Sequence, residues 1–73
     1  MKIDMRSVKY YTQGRVPGDW NSVQNRIERN SEWAIVHDIA EGRWEVWCDG
    51  RMYTGTCTDK EEAEAIMEKM INR

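Results

Sequence analysis

The clearest pattern of apolar and polar positions lies in the last stretch of the chain, TDKEEAEAIMEKMINR. Ala63, Ile66, Met67, Met70 and Ile71 fall at i, i+3, i+4, i+7 and i+8, which is one apolar face of an α-helix. Thr58 and Glu61 have the spacing of a capping box, in which each side chain satisfies a free N–H at the helix start. Asp59, Glu61 and Glu62 in the first turn complement the positive end of the helix dipole. A narrower stripe, Trp20, Val23 and Ile27 at i, i+3 and i+7, predicts a short helix over 19–30. Asp19 can cap it, and Asn30-Ser31 can end it.

Between the helices the period changes to two. In WAIVHDI, Trp33, Ile35, His37 and Ile39 share one side, which predicts a strand over 33–39. Ala40-Glu41-Gly42 is a turn. Residues 43–48 and 51–57 are two further strands around Asp49-Gly50, a pair suited to a two-residue type I′ hairpin. Residues 2–11 admit a first strand, with Ile3 and Met5 on one face and Val8 and Tyr10 on the other. TQGRVPG, residues 12–18, reads as a loop. This order predicts one small α+β domain over residues 1–73. It is a three-stranded antiparallel meander with room for a fourth, N-terminal strand. A short helix precedes the meander, and a C-terminal amphipathic helix packs on one face.

A two-residue loop sets the hairpin register. Cys48 is expected opposite Arg51, Trp47 opposite Met52, Val46 opposite Tyr53 and Trp44 opposite Gly55. Alternation then puts Trp44, Val46, Cys48, Tyr53 and Cys57 on the face under the last helix, with Gly55 leaving space for the Trp44 indole. Cys57 falls near Gly42, about 20 Å from Cys48 along the hairpin, whereas a disulfide needs Cα atoms within roughly 7 Å. The two cysteines therefore read as small buried apolar residues, neither a redox pair nor a zinc site. The other face carries Arg43, Glu45, Trp47, Met52, Thr54 and Thr56. Either helix 19–30 or the first strand covers it, or it is an exposed patch with a polar rim. In the exposed case Trp47 and Met52 are partner-binding anchors, with Arg43, Glu45 and Arg51 as a charged margin. Four tryptophans and no phenylalanine are more indole than a core this small absorbs, which makes Trp20 a further candidate anchor.

Composition narrows the function without naming it. The N-terminus, MKIDMRSVKYY, lacks the apolar run of a signal peptide, and no stretch is long enough to span a bilayer. The expectation is a soluble, cytoplasmic protein with reduced thiols and no membrane partner. No Gly-rich phosphate loop, nucleophile motif or metal-ligand cluster appears. His37 shares a face with Trp33 and Ile35, as a core or edge histidine does. The chain thus reads as non-enzymatic, with no cofactor and no metal. Charge is unevenly spread. Residues 1–31 carry six basic side chains (Lys2, Arg6, Lys9, Arg15, Arg26, Arg29) against three acidic ones, while residues 32–73 carry five basic against ten acidic.

Two resemblances bear on partners. The segment from Trp44 to Ile66 has a strand, Asp-Gly, a glycine-bearing strand and a capped Ala/Glu helix. It is similar to small phage- and prophage-encoded proteins, some anti-CRISPR proteins among them. That resemblance implies a small inhibitor, an interaction module that binds a bacterial defence complex such as a CRISPR-Cas effector. The alternative comes from the order α–β–β–β–α, which resembles the double-stranded RNA-binding domain. There a basic cluster at the start of the last helix grips phosphates. Here that position reads Thr58-Asp59-Lys60-Glu61-Glu62, so nucleic acid would have to meet Lys2, Arg6, Lys9, Arg15, Arg26 and Arg29 instead.

Overall fold

A computed structural model describes residues 4–14 and 19–72, with the backbone alone at 19–21. Strand β1 (Lys9–Gln13) leads to helix α1 (Asp19–Arg29), followed by β2 (Ala34–Asp38), β3 (Arg43–Cys48), β4 (Arg51–Cys57) and helix α2 (Lys60–Ile71). The four strands form one sheet in the order β1-β2-β3-β4. β1 runs parallel to β2, and the other pairs are antiparallel. The fold is α+β, as the periodicity predicts, and the fourth strand is present. It is shorter than the sequence suggests. Asp4 accepts from the Arg6 N–H at 2.9 Å and caps a 3₁₀ turn over Met5–Ser7, so β1 begins at Lys9, while Lys2 and Ile3 of the expected strand lie outside the described residues. Thr12 and Gln13, expected in a loop, complete β1. Pro17 and the other residues at 15–18 lie outside the described residues, as do the Asp19 cap and the Trp20 side chain.

The helices cover opposite faces. Ala63 and Met67 of α2 are buried against Val8, Ile35, Val46 and Cys57, with Trp44 and Cys48 at the margin. Ile27 of α1 is buried against Ala34, Val36 and Trp47, with Tyr11 and Val23 beside them. β2 is apolar on both faces because a helix lies on each. α1 closes on Ser31 in the left-handed region (φ 51°). The Glu32 N–H bonds the Ile27 carbonyl at 3.0 Å, and the Ser31 N–H bonds the Glu28 carbonyl at 3.4 Å. This is a Schellman closure. The hairpin turn docks there too. The Gly50 N–H donates to the Glu32 carbonyl at 2.9 Å, and a Cβ on Gly50 would meet Ser31 Cα at 3.1 Å.

Three local expectations need correction. Asp49 and Gly50 both have positive φ, as a type I′ turn requires, and Cys48–Arg51 and Trp47–Met52 pair as expected. Beyond them β4 bulges twice, so Val46 pairs with Thr54 and Trp44 with Cys57. Each bulge puts an extra residue on β4 and displaces the register. Tyr53 is consequently 56% exposed rather than in the core. Gly55 lies by Met52, Glu45 and Arg43, where a Cβ would meet Met52 Sδ at 3.1 Å, rather than opposite Trp44. The helix cap also moves by one residue. Asp59, not Thr58, accepts from the Glu62 N–H (2.7 Å), and Glu62 returns to the Thr58 N–H (2.8 Å) and hydroxyl. Cys57 now sits four rungs from Cys48, about 13 Å, and both cysteines are free thiols.

Candidate functional site

The Trp47 face is closed. Trp47 is 3% exposed beneath α1, and Glu45 beside it is fully buried. Neither is available as a surface anchor, which settles the two arrangements left open by the sequence in favour of cover by the first helix. The signal was in α1 itself. Val23 and Ile27 need a sheet face, and α2 already occupies the other. Arg51 and Met52 remain exposed on the outer strand, and Arg43 is about half exposed at its side chain.

Beneath α1, Glu45 is held in a polar knot. Trp47 Nε1 donates to its Oε1 at 3.0 Å, Gln13 Nε2 to both oxygens at 3.3 Å, and an Arg43 guanidinium nitrogen lies 3.3 Å from Oε2. Gln13 Nε2 also donates to Asp38 at 3.3 Å. Gln13 Oε1 is buried without a hydrogen-bond partner. Burial pushes the Glu45 carboxyl up, aided by the Asp38 carboxylate and opposed by Trp47 and Arg43. The folded state thus holds the Glu45 proton more tightly than the unfolded chain does. The contribution of Glu45 to stability is most favourable below the ordinary glutamate value of about 4.3 and is lost as pH rises through the raised one. Glu45→Gln keeps the acceptor for Trp47 and removes the charge, while its amide NH2, at the place of Oε2, faces the Gln13 amide and the Arg43 guanidinium that Oε2 accepted from. At pH 7 it is expected to gain about 1 kcal/mol, a rise in melting temperature of roughly 4–8 °C, and the gain should vanish below about pH 4. Melting curves across that range check this. A loss at pH 7 would show that the Arg43 pair outweighs the burial cost.

The other titratable groups are poorly placed for chemistry. Burial raises the Cys48 thiol, and burial with Glu62 and Asp59 raises Cys57, so both stay protonated at neutral pH. His37 stacks flat on Trp44, with ring centroids 4.1 Å apart. Among the described residues no three His, Cys, Asp or Glu side chains gather as a metal site would need.

A groove of about 650 Å³ lies open between α1 and β1. Ser22, Asn25, Arg26 and Arg29 stand at i, i+3, i+4 and i+7 on α1 and form one wall. Lys9 and Tyr11, alternate residues of β1, form the other. Three of the six front-half cations therefore converge here. Arg6 is folded onto Asp4 at 3.0 Å instead, and Lys2 and Arg15 lie outside the described residues. Among the described residues Glu32 is the only acid lining the groove. It accepts from the Tyr11 hydroxyl at 2.5 Å and, more weakly, from Asn30 Nδ2 at 3.4 Å. Burial and Glu32 raise the Tyr11 phenol, while Arg26 pulls it down. Lys9 is among the basic residues the sequence offers to nucleic acid, but Tyr11 gives no binding signal there, because only the parallel β1–β2 pairing places the two beside α1.

Compared with protein-family models, curated proteins and solved structures, the chain matches none. The functional reading therefore rests on this geometry alone. Among the described residues no helix is long and apolar enough to cross a membrane.

Proposed function

We propose that the protein is a non-enzymatic cytoplasmic module that binds nucleic acid through the groove between α1 and β1. The convergence of Lys9, Arg26 and Arg29 on one groove supports this reading. Cations from two separate elements, interleaved with Ser, Asn and Tyr donors, are what phosphate contacts require. The acidic start of α2, where the double-stranded RNA-binding domain is basic, takes no part. Fluorescence anisotropy with a labelled single strand tests it. Three neutralised phosphates give a slope of log K against log salt of about −2. Arg26→Glu combined with Arg29→Glu is expected to lower affinity at least about tenfold at low salt. Unchanged affinity in that double variant would remove the groove from the binding surface.

A second reading, a phage or mobile-element inhibitor of a bacterial defence complex, draws on a different surface. Met52 and Tyr53 are 41% and 56% exposed and follow Arg51 in sequence on the outer strand β4. Adjacent apolar, aromatic and arginine side chains at a strand edge suit a protein interface. Recovery of a defence ribonucleoprotein from bacterial lysate, lost on Met52→Asp but kept when Arg26 and Arg29 are reversed, would favour it over the groove.

A further inference from the structure

A smaller recess of about 110 Å³ opens beside the basic groove and shares Tyr11, Ser22 and Arg26 with it, adding Val23. Its room matches about four waters, enough for one flat ring. The walls suit a ring better than a phosphate. They offer the Tyr11 ring, the Val23 methyls and the Arg26 guanidinium, with the Ser22 hydroxyl as the one small polar group. A phosphate there would desolvate its charge against Val23, whereas a base would stack on the tyrosine and the guanidinium plane. Glu32, in the groove beside the recess, adds a second feature. It is a carboxylate in a cationic groove, bonded to the hydroxyl at the end of the Tyr11 ring. A carboxylate accepts from an exocyclic amine such as cytosine N4 and is repelled by the carbonyl that uracil carries at that position.

Resting on the nucleic-acid reading above, we propose that this recess takes one unpaired base of a single strand. Lys9 and Arg29 hold the flanking phosphates while Arg26 stacks on the base, and Glu32, which lines the groove beside the recess, favours cytosine over uracil. A duplex cannot offer an unstacked ring to the recess, so the ligand class is single-stranded.

The test is fluorescence anisotropy of the intact protein at neutral pH and about 50 mM salt. The probes are labelled oligocytidylate, oligouridylate and an RNA duplex of equal length. The expected result is oligocytidylate bound about tenfold tighter than oligouridylate, with the duplex weakest. Glu32→Gln should bring the two single strands to similar affinity while salt-dependent binding persists. Salt-dependent binding without a base preference, or a duplex bound as tightly as oligocytidylate, would overturn the recess and leave the groove standing. No binding of any of the three probes would overturn the nucleic-acid reading itself.

Discussion

Trp47→Ala is expected to cost about 3–5 kcal/mol and to leave little or no folded protein at room temperature. The indole is 3% exposed and packs with Ile27, Ala34 and Val36 under α1, so its loss opens a cavity in the smaller of the two cores. It also removes the Nε1–H donor from Glu45, a fully buried carboxylate whose remaining partners are longer bonds to Gln13 and Arg43. A domain of this size has few kcal/mol to lose. Trp44→Ala should be milder, because Trp44 is only partly buried and its stack on His37 lies at the edge of the α2 core. Urea titrations followed by circular dichroism give the comparison. Equal midpoints for Trp47→Ala and the parent protein would mean that α1 does not seal this face.

That order of severity reverses what the hairpin alone suggests. Asp49-Gly50 and the alternation of Trp44, Val46 and Cys48 are legible because turn chemistry and period two act over a few residues. The bulges in β4 are not legible. An inserted residue leaves composition unchanged and shows only in what each side chain faces, as Tyr53 and Gly55 do. The cap slipped from Thr58 to Asp59 for a similar reason, since both have an acceptor three residues ahead of a glutamate. The basic groove was half legible. Arg26 and Arg29 are visible as basic residues one turn apart on α1. Lys9 and Tyr11 join them only through a parallel pairing between segments more than twenty residues apart, and local patterns carry no information about such a pairing.

Met67→Asp should be the most damaging single change on the opposite face. Met67 is fully buried at the centre of α2, packed in the core with Ile35, Val46 and Cys57. Truncating a buried methionine alone costs about 2–5 kcal/mol, and an unpaired carboxylate in its place adds several more. Glu64→Lys on the same helix is the contrast. Glu64 is half-buried and accepts from the Tyr10 hydroxyl at 2.7 Å, and burial, aided by this bond, pushes that phenol up to about 12. Losing one such surface bond costs roughly 0.5–1.5 kcal/mol, so this variant should stay folded. The sheet and helix signals in circular dichroism should therefore collapse at neutral pH for Met67→Asp and persist for Glu64→Lys. The introduced carboxylate is far costlier to bury charged than neutral. Part of the Met67→Asp deficit should accordingly return below about pH 4, where an exposed aspartate takes up its proton. A folded Met67→Asp variant at pH 7 would mean that α2 can rotate its apolar stripe off the sheet, and the α2 core would then have to be built from other residues.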